Sequence, residues 1–104
     1  AISGSGPAYV FYFIESMQQA GIELGLTPKQ ARQLSLQTFV GASELASLSD
    51  EDAATLRTRV TSKGGTTEQA IQVMEKNDVK SKIMAAINAA SERSKEMSNE
   101  FSKL

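Results

Sequence analysis

The sequence predicts an all-α domain of about five helices, intertwined with a second copy. Two observations predict the fold class. Apolar residues recur at helical spacing, and no stretch alternates apolar and polar residues as a half-buried strand does. The breaks between periodic stretches also carry helix stop and start residues: Gly25 before Thr27-Pro28, then Ser49-Asp50, Gly64-Gly65 and Asn77-Asp78. A chain of 104 residues suffices for one domain with one core.

The first helix is expected over 7–25. Pro7 suits its first turn and Gly25 its stop. Tyr9, Phe11, Tyr12 and Phe13 make its opening turns apolar nearly all round, as in a helix covered on more than one side. Gly21 marks a close approach to another helix. The preceding Ser3-Gly4-Ser5-Gly6 reads as a linker or hinge; its glycines are weak signs of phosphate binding, because no strand comes before them.

Thr27 caps the second helix, Pro28 takes its first position and Gln30 completes a capping box. Its broad apolar face runs to about Ser47, and Gly41-Ala42 is a second place for close helix packing. Ser49 or Asp50 is expected to cap a short third helix ending near Val60, with Arg57 and Arg59 at the end that favours cations. The fourth helix is expected from about Thr67 to Lys76. Asn77 closes it, and Asp78 caps a final helix from about Val79 to Leu104. That last helix carries a narrow seam through Ile83, Ile87, Ala90, Ser94, Met97 and Phe101, and beyond Ser91 it is expected to lie across a partner or to fray.

Composition narrows the chemistry. Charged residues make up 22% of the chain and the net charge is −1, which argues against a nucleic-acid or membrane partner. No apolar run is long enough to span a bilayer. Without Cys there is no thiol nucleophile or zinc–thiolate site, and without His the usual general base near neutral pH is missing. The run Asp50-Glu51-Asp52 is the only dense set of metal-ligand types, but three acids in a row more commonly open a helix. No metal is expected. The chain begins at Ala1 with no visible signal peptide, and is expected to be part of something longer.

The stretch with chemical potential is Thr61-Ser62-Lys63-Gly64-Gly65-Thr66-Thr67. Two adjacent glycines allow unusual backbone conformations and close approach of a ligand to the main chain. Four hydroxyl side chains surround them. Thr66 with Gln69 fits a capping box, which sets a helix N-terminus at the glycines, where free N–H groups suit a carboxylate or phosphate. The plainer alternative is a well-capped connection between two helices.

These residues, with Ser3-Gly4-Ser5-Gly6-Pro7-Ala8-Tyr9 and Ala89-Ala90-Ser91-Glu92-Arg93-Ser94, make the whole chain resemble the C-terminal domain of pyrroline-5-carboxylate reductases. The three motifs stand in the family's order; one departure is Lys63, where the family usually has Pro. The resemblance implies a C-terminal domain for dimerisation and substrate binding over residues 1–104, and an N-terminal Rossmann domain outside this chain that holds NADPH or NADH. It implies a homodimer, with higher assembly open, in the cytoplasm, reducing 1-pyrroline-5-carboxylate to L-proline in proline biosynthesis. Carried over, Ser62, Gly64, Gly65 and Thr66 hold the substrate carboxylate. Thr67 faces the ring nitrogen as proton donor. No residue here is expected to bind the cofactor. Two alternatives stand beside it: a non-enzymatic helical interaction module, and a helical domain of another Rossmann-linked dehydrogenase.

Overall fold

The computed structural model describes residues 1–102. Its elements are α1 (Gly6–Glu23), α2 (Pro28–Leu48), α3 (Ala53–Arg59), α4 (Thr66–Lys76) and α5 (Val79–Ser102), and among the described residues there is no strand. The all-α expectation holds. The chain divides into two compact units, one of Pro7–Val60 and one of Ala1–Gly6 with the residues from Thr61 onward.

In the first of these units α1 and α2 form a hairpin whose turn is built from backbone hydrogen bonds. Gly25 takes φ +107° and its N–H donates to the Ile22 carbonyl, while the Leu26 N–H reaches back to Gly21, each at 3.0 Å. This pair of bonds is the Schellman arrangement that ends a helix at a left-handed glycine. Leu26 then folds over Gly21: a Cβ on that glycine would lie 3.2 Å from Leu26 Cδ1 and 3.3 Å from Ala31 Cβ. The close approach expected at Gly21 is therefore real, and it brings α1 onto Ala31. Helix α2 starts with the expected capping box: the Gln30 N–H donates to Thr27 Oγ1 at 3.1 Å and the Thr27 N–H to Gln30 Oε1 at 3.0 Å. Further along the hairpin Phe13 and Phe39 meet edge to face, their ring centres 5.4 Å apart. Gly41, by contrast, has open space around it, so the expected close packing there does not occur among the described residues.

The third helix begins later than expected. Asp52, not Ser49 or Asp50, is its cap, and Asp52 Oδ1 accepts from the Thr55 N–H at 2.8 Å. Ser49 is used differently: its hydroxyl accepts from the Glu51 N–H at 3.1 Å, inside the connection. Glu51 in turn pairs with Arg59 from the end of α3. The acidic run thus serves to start and brace a helix.

In the other unit α4 packs on α5. Their link is tight. Asn77 closes α4, with both its N–H and its side-chain amide donating to the Val73 carbonyl at 3.2 and 2.8 Å. Asp78 adopts φ +53°, and its carbonyl accepts the first hydrogen bond of α5, from the Lys82 N–H at 3.1 Å. Helix α5 is continuous to Ser102. Ion pairs of Arg93 with Glu96 and Glu100, and of Lys95 with Glu92, line its polar stretch. The last two residues of the expected helix lie outside the described residues.

The core is very small. Among the described residues only Ala31 and Ser35, 1% and 5% exposed, are buried. Large apolar side chains stay open to solvent, including Phe11 at 67%, Tyr12 at 74% and Phe101 at 78%. Among the described residues no helix is long and apolar enough to cross a membrane.

Asp52 generates a pH prediction. The Thr55 backbone N–H, and then its hydroxyl, hold the Asp52 carboxyl below the usual carboxylate range. A folded-state pKa below the unfolded one, roughly 4, contributes stability above that pH, and the contribution disappears as pH falls through the folded value. Asp52→Ala should therefore lower the thermal midpoint at pH 7 and have a smaller effect at pH 3. Equal effects at the two pH values would show that the charge of the cap contributes nothing.

Candidate functional site

The site is built on the turn that leads into α4. The Ser62 carbonyl accepts from the Gly65 N–H at 3.1 Å, which closes a four-residue turn with Lys63 and Gly64 at its centre. Gly64 has φ +76°, while Lys63 is not among the residues with positive φ. A positive φ at the third position alone defines a type II turn, and that position calls for glycine. Any other residue there would be strained by roughly 1–2 kcal/mol. The second position of such a turn is the one proline favours. Lys63 fills that slot without proline's restriction of the unfolded chain.

The two glycines do different work. Gly64 is needed for its conformation, and a Cβ there would meet nothing. Gly65 has an ordinary φ of −90° and is needed for space: its Cβ would fall 3.0 Å from Ser62 Oγ and 3.3 Å from the Ser62 carbonyl oxygen. The Ser62 side chain is thus folded over the Gly65 backbone.

Gly65 is also the N-cap of α4, and no side chain caps the helix. The capping box expected from Thr66 and Gln69 is not formed. Thr66 is already the first helical residue, so its hydroxyl lies past the cap position. The first helical bond runs from the Gln69 N–H to the Gly65 carbonyl, at 3.3 Å. The N–H groups of Thr66, Thr67 and Glu68 precede that bond and have no acceptor within the helix. They point out of the positive end of the helix dipole, just after a turn with no side chains at two successive positions. This is a place where a small anion can approach the main chain.

All five residues expected at the site, Ser62, Gly64, Gly65, Thr66 and Thr67, lie on this one turn and helix start. Thr66 is exposed and Thr67 half-buried. One participant was missed at the sequence level. Glu68 reaches back, and its Oε1 accepts from the Gly64 N–H at 3.3 Å. The spacing Gly65-x-x-Glu68 is the signal that could have revealed it, since a Glu three residues after the N-cap is the second half of a capping box. Among the described residues no cluster of acidic side chains is arranged to hold a metal ion.

Comparison with known proteins agrees with this architecture. Residues 1–97 match the family model for pyrroline-5-carboxylate reductase dimerisation. Over 101 residues the chain is 46% identical to a pyrroline-5-carboxylate reductase of Pseudomonas aeruginosa, covering 97% of this chain and 37% of that protein. A pyrroline carboxylate reductase of Plasmodium falciparum, solved with NADP bound, superposes with a TM-score of 0.89 at 43% identity, over 92% of this chain and 38% of that one. A pyrroline-5-carboxylate reductase of Coxiella burnetii gives a TM-score of 0.87 at 45% identity, over 91% of this chain and 35% of that one. The chain thus spans little more than a third of the length of these relatives. With the family model covering almost its whole length, the chain belongs to the pyrroline-5-carboxylate reductase dimerisation family.

Proposed function

We propose that this chain is the C-terminal dimerisation and substrate-binding domain of a reductase that converts 1-pyrroline-5-carboxylate to L-proline. The observation that carries this reading is the start of α4, without a side-chain cap, behind two successive glycines. The substrate is a small cyclic imine with a carboxylate, and an uncapped helix start suits that anion. Ser62 and Thr66 receive the carboxylate, and Gly64 and Gly65, by lacking side chains, let it come up to the start of α4. Thr67, one residue into α4, directs its hydroxyl to the ring nitrogen. NADPH or NADH, held mainly by a Rossmann domain preceding this one, supplies the hydride. The protein then needs no His, Cys or metal of its own; it binds the anion, orients the ring and hydrogen-bonds the nitrogen that gains a proton. The whole enzyme works as a cytoplasmic homodimer.

Thr67 is testable in the full-length enzyme. Thr67→Ala removes one hydroxyl and leaves the cap of α4 untouched. If the hydroxyl stabilises the developing amine, kcat falls by roughly ten- to a thousand-fold. Thr67→Ser should recover most of the activity. A wild-type kcat with only KM raised would make Thr67 a binding residue and leave water as the donor.

Gly65→Val tests the carboxylate contact. The new side chain must displace Ser62, whose Oγ and carbonyl would stand 3.0 and 3.3 Å from its Cβ. KM for the imine is expected to rise roughly tenfold or more, the scale of one charge-assisted hydrogen bond lost when Ser62 is pushed out of reach of the carboxylate. Dimerisation should be retained. Unchanged affinity for L-proline would reduce the loop to a structural connection.

The exposed apolar side chains generate a third test. Open faces on α1 and α5 and a core of two residues support a second copy as their cover. Sedimentation of the chain is expected to show a homodimer, with an interface above roughly 2,000 Å² in total. A stable monomer at micromolar concentration would contradict it.

A further inference from the structure

We propose that Glu68 is a positioning residue for the substrate loop, its carboxylate clamping the Gly64 N–H so that the type II turn is held in the shape that presents the start of α4. The assignment rests on the carboxylate-binding role of this loop. Counting from Gly65 as N-cap, Glu68 is the third helical residue. A Glu at that position ordinarily accepts from the N–H of the cap residue itself. Here the Gly65 N–H is already committed to the Ser62 carbonyl at 3.1 Å. The carboxylate therefore takes the N–H one residue earlier, on Gly64, at 3.3 Å. Two consecutive amides are thereby tied down, one by the turn and one by the helix that follows it.

The clamp acts where the backbone is least self-supporting. Gly64 has φ +76°, and no neighbouring atom within 4 Å of its would-be Cβ confines it. Glycine has the most conformational freedom to lose, so an unclamped Gly64–Gly65 pair samples many states. Binding then has to order the turn, and affinity falls by the fraction of time the competent turn is populated. Glu68 touches neither the ring nitrogen nor Thr67's hydroxyl in this scheme. Its loss should reach binding and leave the chemical step alone.

The experiment pairs two substitutions with two readouts. In the full-length enzyme Glu68→Ala is expected to raise KM for the imine, and Kd for L-proline, by about three- to tenfold, the loss of one modest hydrogen bond. The kcat should stay within about twofold. Glu68→Gln keeps an acceptor oxygen at the same reach and should recover most of the affinity. In the 104-residue chain, amide exchange at Gly64 should quicken by about the same factor in Glu68→Ala and stay slow in Glu68→Gln. A role confined to the helix dipole would lower the thermal midpoint in both variants and leave KM unchanged, which would overturn the proposal. So would tighter binding in Glu68→Ala, the mark of a carboxylate that the substrate displaces, or unaltered Gly64 exchange. If wild type does not bind L-proline at all, the carboxylate-binding reading fails on its own, while Gly64 exchange still decides whether the clamp exists.

Discussion

The hydrogen bond from the Gly65 N–H to the Ser62 carbonyl is the constraint on which the candidate site depends. It forces a chain reversal within four residues. In the form it takes here the reversal puts Gly64 in the left-handed region, and it uses up the Gly65 N–H before α4 begins. From these two consequences the remainder follows. Gly65 becomes a cap without a side chain, the first N–H groups of α4 are left open, and Glu68 finds the amide of Gly64 instead of the cap. An anion site made in this way requires little from side chains. What the turn leaves out, namely Cβ atoms at two successive positions, is what would open such a site to an anion.

The second governing fact is the near-absence of an interior. A hairpin of 18- and 21-residue helices would ordinarily bury a stripe of large apolar side chains. This one buries Ala31 and Ser35, and leaves Phe11 and Tyr12 in solvent. Burial of apolar area is the main favourable contribution to folding, at about 25 cal/mol per Å². A chain that leaves most of this area open gains much of its stability by covering it with another surface. The family's description as a dimerisation domain accords with that economy of surface.

Much of this was legible from the residues. Thr27-Pro28-x-Gln30 and Gly25 announce a helix start and stop through side-chain chemistry that admits few alternatives, and both formed as read. Two features were not legible. Between Ser49 and Asp52 there are three residues able to cap, Ser49, Asp50 and Asp52, and only three-dimensional reach selects Asp52 for Thr55. At α4 the pattern Thr66-x-x-Gln69 has the same spacing as Gly65-x-x-Glu68, shifted by one residue. The turn decides between them, since it places Gly65 at the cap and Thr66 inside the helix. The open space at Gly41 has a different cause: small residues permit a close neighbour without specifying that it belongs to the same chain. The five residues expected at the site are adjacent in sequence, so their proximity was assured. Their individual roles come from resemblance to the reductases, and the geometry adds reasons why this turn suits a carboxylate.

The central claim is that the open start of α4 receives the substrate's carboxylate. A structure of the full-length reductase with L-proline bound tests it most directly. The carboxylate is expected within hydrogen-bonding distance, about 2.7–3.2 Å, of the N–H groups of Thr66 and Thr67, with the ring nitrogen facing the Thr67 hydroxyl. A carboxylate bound away from these amides, with the turn at Gly64–Gly65 free of ligand, would contradict it.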